Sequence, residues 1–377
     1  MLKISQSIYI HFPFCRSKCA YCDFYSAARG YADMPRYVEA LGRELAMRRH
    51  ELAASPQTVY LGGGTPSMAG CDLIDRLFEV IAPCCDPASL AEATIEANPE
   101  DITPETLARY RHAGINRVSI GIQSFDAGLL AAVSRRHSPA DAEKALNLLA
   151  GDGWNYSADL IYGLPGQTPA MWTHDLRRLL SWRPPHFSAY LLSYEENTPL
   201  YHSRQLGKVR EATDGEATQM YDILCDEAAR AGYRHYEISN FALPGFEAIH
   251  NSAYWDGTPY LGLGAGAHSL GADGLRRFNP PDLGAYIEAI EHNRLFCQTD
   301  YEDDANRAND TIITALRTAD GLDSRLIPQQ FRAEFDSSAA TFVADGRLCR
   351  TTSGSLRIPE KHWLKADAII RDLIVGC

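Results

Sequence analysis

Short runs of β-branched and aromatic residues alternate along this chain with stretches whose apolar positions recur at helical spacing. "SIYIHF", "TVYL", "ATIEANP", "RVSIGIQSF", "YSADLIYG" and "HFSAYLL" read, in that order, as strands. After the first, Val38, Leu41, Leu45 and Leu52 predict a helix over 36–52. After the second, Leu73, Ile74, Leu77, Phe78 and Ile81 fall on one side of another. "TPETLARYRHAG" opens with Thr103 as N-cap and Pro104 at the first helical position, and stops at Gly114. "SPADAEKALNLLAG" has the same punctuation, from Ser138-Pro139 to Gly151. A further helix follows the "LPGQTP" loop and runs to about Trp182.

Strand–helix alternation implies a parallel sheet, because parallel strands need a crossover between them. Apolar strands such as "DLIY" suit a sheet covered on one face and lining a core on the other. The fold class is therefore α/β, either an open doubly wound sheet or a barrel. In both, functional groups gather at the C-terminal ends of the strands. "GGGTP", "EANP", "GIQSF" and "YGLPGQ" all stand at such ends. After about Leu283 the character changes to helix-like stretches, with a two-stranded wing expected around Leu348 to Ile358 and Gly354 at its turn. The expected division is 1–283, followed by a smaller α-rich, winged-helix-like domain at 284–377.

Composition narrows the function. The chain has 377 residues, 45% of them apolar, enough for a substantial core. A formal net charge of -12 argues against nucleic acid as partner, since a phosphate-binding face needs clustered Lys and Arg. The ten cysteines follow no secretory segment and do not resemble a disulfide framework, so a reducing, cytoplasmic location is expected. No apolar stretch is long enough to span a bilayer, which leaves at most a peripheral association with membranes. Cys71, Cys84, Cys85, Cys225, Cys297, Cys349 and Cys377 are scattered and read as packed or free thiols.

Cys15, Cys19 and Cys22 are different: they form a tight C-x3-C-x2-C run. Three thiolates from one loop suit three corners of a cubane iron–sulfur cluster, leaving the fourth iron open. The alternative is a closed zinc site completed by His11, Asp23 or a distant cysteine. The glycines of "GGGTP" permit close backbone approach and can offer N–H groups to an anionic or zwitterionic ligand. Glu96, Gln123, Arg135 and Asp159 sit at or just beyond successive strand ends. Carboxylates there can take ribose hydroxyls or an ammonium, and arginine can take a carboxylate. Singly, each is as well explained by an ion pair or a loop cap.

"CRSKCAYC" resembles the signature of radical S-adenosylmethionine (SAM) proteins, and "YIHFPFC", "GGGTPS", "EANP", "SIGIQSF" and "DLIYGLPGQ" resemble the oxygen-independent coproporphyrinogen III oxidase branch. The resemblance covers Ile8 to about Ser269. It implies a partial (β/α) barrel of radical SAM type carrying a four-iron, four-sulfur cluster on Cys15, Cys19 and Cys22. It further implies that Tyr9, Tyr21, Gly63, Gly64, Thr65, Glu96, Gln123, Arg135 and Asp159 line the SAM site. Within the branch, true oxidases have another cysteine where this chain has Phe24. The HemW-like subgroup has C-x3-C-x-Y-C-x-F and H-N-x-x-Y-W, which match "CRSKCAYCDF" and "HNSAYW" here. That subgroup is described as heme chaperones, which implies heme as a third ligand, His250 as its linked residue and hemoproteins as clients, membrane-bound respiratory enzymes among them. Tyr254 and Trp255 would then pack on the porphyrin. The other reading of His250 is a loop histidine that orders a turn. His268 and His235 are competing histidines. The resemblance leaves open a homodimer and SAM cleavage, and assigns no catalytic residue. A true oxidase is the alternative function.

Overall fold

Six strands follow one another in the predicted order: β1 (Ser7–Phe12), β2 (Thr58–Gly63), β3 (Glu92–Ala97), β4 (Arg117–Gln123), β5 (Asn155–Tyr162) and β6 (His186–Leu191). Each pairs in parallel with the next. Beyond β6 lies an antiparallel hairpin, β7 (Arg234–Glu237) and β8 (Asn240–Ala242). Beyond β1 lie β9 (Tyr260–Leu263), parallel to it, then β10 (His268–Leu270), β11 (Arg276–Phe278) and β12 (Gln298–Asp300), all antiparallel. The sheet is open, with β12 and β7 at its edges. The computed structural model describes residues 7–27, 30–52, 55–85, 87–300 and 303–376. Cys377 lies outside them.

The crossovers are helical: α1 (Met34–Arg48), α2 (Cys71–Ile81), α3 (Pro104–His112), the short α4 (Ala127–Ala132), α5 (Pro139–Gly151) and α6 (Pro169–Leu180). Thr103, Ser138 and Thr168 cap α3, α5 and α6, each followed by proline. The cap oxygen takes an otherwise orphan N–H and proline gives up none, a local signal worth about 1 kcal/mol per helix. After β6 come α7 (Pro199–Gln205), α8 (Asp214–Arg230) and α9 (Ile249–Trp255). Next is α10 (Leu283–Glu291), which packs on α1, and β12 then extends the sheet to Asp300. The first elements after Leu283 are thus built onto the barrel.

The remainder is helical, with α11 (Asp304–Ala315), α12 (Gln329–Ala344) and α13 (Ala366–Arg371) around a two-stranded wing of β13 (Cys349–Arg350) and β14 (Leu356–Arg357). Gly354 sits at the wing's turn with φ +91°, a conformation that favours glycine. One apolar core runs from Ile8 and Ile10 through the barrel to Ile312, Phe335 and Trp363. Among the described residues no helix is long and apolar enough to cross a membrane.

Candidate cofactor site

Arg117, Ser119, Gly121 and Gln123 alternate along β4 and face one cavity of about 450 Å³. Ser157, Asp159 and Ile161 of β5, and His186, Ser188 and Tyr190 of β6, face the same space. Their neighbours Val118, Ile120, Ile122, Ala158, Leu160, Phe187 and Ala189 are buried on the other face. Side chains point to opposite faces with period two, so one strand set serves both a core and a lumen. This corrects the expectation of an apolar inner core: the inner face is polar. The signal was present in "RVSIGIQ", "NYSAD" and "HFSAY", where a polar or small residue recurs at every second position.

The cysteine loop caps the C-terminal end of this lumen. Cys15, Cys19 and Cys22 line the cavity, partly exposed, with no disulfide between them. The Tyr31 hydroxyl donates to the Cys15 carbonyl at 2.8 Å, and Arg16 pairs with Asp101 at 2.8 Å. The Thr65 hydroxyl reaches Cys15 Sγ at 3.5 Å, and Arg135 Nη1 reaches Cys19 Sγ at 3.6 Å. Burial pushes the Cys15 thiol up and the Cys22 thiol up to about 11, so both keep their protons unless a metal takes the sulfur. Among the described residues, the set of metal-type donors that all lie within 4.8 Å of one another is elsewhere, so at least one separation among the three loop thiols exceeds 4.8 Å. A single tetrahedral ion with bonds near 2.3 Å needs its sulfurs about 3.8 Å apart. The wider spacing suits a larger inorganic group better.

The glycine triplet does something other than expected. Gly64 N–H donates to Phe12 O at 3.0 Å, Thr65 N–H to Phe14 O at 2.8 Å, and Gly63 N–H to Glu96 Oε2 at 3.0 Å. Their donors are engaged inside the protein, so they hold the cysteine loop against the strand ends and do not point at a ligand. Space demands glycine here. A Cβ on Gly63, at φ +100°, would sit on the His11 ring, and one on Gly64 would lie 2.5 Å from Phe12 O. Gly63, Gly64 and Thr65 still line the cavity.

Glu96, Gln123, Arg135 and Asp159 do converge on it. Glu96 accepts from the Tyr60 hydroxyl at 2.8 Å as well as from Gly63, yet burial outweighs both and raises its carboxyl to about 7. Burial also raises Asp159, although the serines around it favour its charge. Arg135 donates to Asn98 Oδ1 at 2.9 Å and Gly121 O at 2.6 Å. Its burial disfavours charge, but Tyr21 and Cys19 beside it outweigh that and hold the guanidinium charged. Gln123 interrupts the β4–β5 register and stands at φ +65°. Gln123 Oε1 and Arg135 Nε are buried with no hydrogen-bond partner. Strain and orphaned polar atoms at one rim are what a site awaiting a polar ligand displays. Tyr21 lines the cavity. Tyr9 lies behind it, its hydroxyl 3.0 Å from His11 Nδ1.

At the opposite end of the lumen, "HNSAYW" is a helix, α9, and not a loop. Glu92, at the start of β3, accepts from the N–H groups of Ile249 and His250 at 2.8 and 3.2 Å. The Thr58 hydroxyl donates to Ser7 Oγ at 3.0 Å and so accepts from His250 Nδ1–H at 2.8 Å. That leaves His250 Nε2 to accept from the Tyr254 hydroxyl at 2.9 Å. His250 is fully buried, stacked on Tyr60 with ring centroids 5.1 Å apart, and burial pushes its imidazole down to about 3. Both its nitrogens are engaged, and Asn251 rather than His250 lines the lumen floor. The outer side of α9, through Ser252, Trp255 and Asp256, borders a groove of about 1030 Å³ beside the C-terminal helices. His235 borders that groove too, whereas His268 is exposed on β10 and stacks on Phe278. Sequence reasoning missed Tyr60, which links Glu96 to His250. It also missed Arg117, buried at the floor with Nε and Nη1 unpartnered.

The Radical SAM superfamily model matches residues 9–179. The chain is 37% identical to the heme chaperone HemW of Mycobacterium tuberculosis strain H37Rv over 377 residues, covering 97% of this chain and 94% of that one. It is 37% identical to HemW of Lactococcus lactis, covering 77% and 76%, and 37% identical to HemW of Escherichia coli K12, covering 70% and 69%. In structure it resembles coproporphyrinogen III oxidase from Escherichia coli, a radical SAM enzyme, with a TM-score of 0.82 at 23% identity over 99% of this chain and 91% of that one. That likeness speaks for the fold.

Proposed function

Since the chain belongs to the heme chaperone HemW family within the radical SAM superfamily, we propose that it binds heme and hands it to client hemoproteins, using a cluster and SAM held at the C-terminal end of its lumen. Cys15, Cys19 and Cys22 would hold a four-iron, four-sulfur cluster. Such a cluster supplies an iron corner able to bind the amino and carboxylate groups of SAM. Around it, Arg135 and Gln123 carry the unpartnered polar atoms that a ligand would satisfy, Glu96 and Asp159 offer acceptors, Tyr21, Gly63, Gly64 and Thr65 shape the wall, and Tyr9 stands behind that wall against His11.

The observation that carries the heme reading is the position of the H-N-x-x-Y-W helix. It closes the lumen at one end while the thiols close it at the other, and its outer side borders the larger groove. The porphyrin would reach the motif from that groove, against Trp255. His250 would reach an iron only after α9 releases it from Thr58 and Tyr254. Clients, membrane-bound respiratory enzymes among them, would have to be met through protein contacts. A location in the cytoplasm and a homodimer fit this reading.

Heme titration of the protein and of His250→Ala, followed optically, tests it. Saturable binding by the protein is expected, with an altered spectrum in the variant. An unchanged spectrum and affinity would remove His250 as ligand, and no binding by the protein would remove the chaperone reading. The oxidase alternative has its own test: anaerobic incubation of cluster-loaded protein with coproporphyrinogen III, where enzyme-like turnover would sink the chaperone reading. Phe24, 63% exposed at the cavity mouth where the oxidases have a cysteine, supports the expectation of none.

A further inference from the structure

Away from the lumen, three donors of different chemistry meet where α8, β7 and the segment Glu360–Lys365 come together. One donor atom each of Cys225, His235 and Glu360 lies within 4.8 Å of the other two. His235 is held tightly. Its ring stacks on Phe241 with centroids 3.9 Å apart and meets Trp363 edge-on at 4.3 Å. His235 Nε2 faces the Ile238 carbonyl at 3.4 Å, and Nδ1 faces Glu360 Oε1 at 2.8 Å. With its proton on Nδ1, His235 donates an ordinary hydrogen bond to Glu360. With its proton on Nε2, facing the Ile238 carbonyl, Nδ1 turns a lone pair toward the carboxylate, and the two acceptors can then share a metal ion.

We propose that Cys225, His235 and Glu360 form a second metal site, suited to zinc, that fastens the C-terminal segment to the barrel. The set mixes sulfur, nitrogen and oxygen, which zinc accepts and magnesium or calcium does not. The ring N–H turned to a backbone carbonyl is the outer partner that metal-bound imidazoles generally have. The Tyr221 hydroxyl donates to the Glu360 main-chain carbonyl at 2.9 Å and anchors the backbone that carries the third donor. Bonds of 2.0–2.3 Å require donors about 3.3–3.8 Å apart, so separations of up to 4.8 Å close by about 1 Å at most, and the 2.8 Å between His235 and Glu360 opens by about 0.5 Å. Rotation of the exposed Glu360 side chain supplies that opening. Its side chain is 52% exposed and that of His235 5%, so the ion has a path from solvent and a fourth position for water. The site shares no residue with the cysteine loop.

The test separates the two metal sites. The cluster thiols also take zinc, so the full chain is prepared with Cys15→Ala, Cys19→Ala and Cys22→Ala, stripped with chelator, given zinc and passed through a desalting column. We expect one zinc per chain by elemental analysis, a higher Tm with zinc than with chelator, and a thiolate-to-metal absorption band when cobalt replaces zinc. Adding Cys225→Ala should abolish the band and the Tm response and weaken zinc binding by about tenfold or more. Glu360→Gln, on the exposed side, should weaken binding even if the Cys225 variant folds poorly. Retention of no zinc by the triple variant, or of the same zinc after Cys225→Ala or Glu360→Gln, would overturn the proposal and leave His235 hydrogen-bonded to Glu360.

Discussion

The two ends of the lumen are built from the same strands and differ in how completely their motif residues are satisfied. At the C-terminal end, Gln123 and Arg135 carry unpartnered buried atoms, Gln123 is held at φ +65°, and Glu96 is raised to about 7. At the N-terminal end, Ser7, Thr58, Glu92, His250 and Tyr254 form a chain in which both nitrogens of the histidine are matched. Gln123 and Arg135 against His250 teach that motif residues of equal prominence in the sequence can stand in opposite energetic states. The rim motif residues hold unmet hydrogen bonds for something to fill; His250 would have to lose bonds before it could take anything, although Arg117 beside it at the floor keeps Nε and Nη1 unpartnered.

The contrast can be broken hardest at Gly63. Gly63→Ala puts a methyl on the His11 ring and forces φ +100° on a residue with a Cβ. Denaturant unfolding should show at least about 3 kcal/mol of lost stability, with cluster loading falling in parallel. Loss of iron without loss of stability would mean the glycine serves a ligand directly.

The two ends should also answer to pH in opposite directions. His250 lies at about 3 against an ordinary 6.5, so its contribution to stability is present above 6.5 and lost as pH falls toward 3. Glu96 lies at about 7 against an ordinary 4.5, so its contribution is present below 4.5 and lost as pH rises through 7. Relative to the parent, His250→Asn should therefore unfold less readily at pH 5 than at pH 7, and Glu96→Gln less readily at pH 7 than at pH 5. Each difference should be on the order of 1–3 kcal/mol. Slopes of the same sign for the two variants would erase the contrast.

The smallest effect sharpens it. Gln123→Gly relieves a left-handed backbone and removes a buried amide, so stability should stay level or rise by about 1 kcal/mol. SAM affinity, read by equilibrium dialysis with the cluster-loaded protein, should fall by about tenfold. A variant that loses stability and keeps affinity would show Gln123 to be structural.

The six parallel strands and the capped helices α3 and α5 were legible in the sequence because their signals are local. A β-branched run or a Ser/Thr-Pro pair says what it is without a partner. The polar lumen was harder to see, since Arg117, Ser119, Ser157 and His186 are scattered in sequence and only the sheet brings them together. The helical state of "HNSAYW" was missed for a similar reason. Its cap is Glu92, more than 150 residues away, which lets no local signal announce the helix start. The cysteine loop was legible as a chemical unit, but the work of the glycines was not, because their N–H partners Phe12 and Phe14 belong to another strand end. Cys225 looked inert because its partners come from β7 and the C-terminal segment.

Tyr60 donates to Glu96 with its hydroxyl at 2.8 Å and stacks on His250 with its ring at 5.1 Å. In genetic terms that makes it pleiotropic. A lesion there would score as a rim defect in one screen and a floor defect in another, and second-site suppressors could arise at either end. Alleles of Glu96 and of His250 would map to separate phenotypes, and Tyr60 would be the locus where the two phenotypes are inherited together.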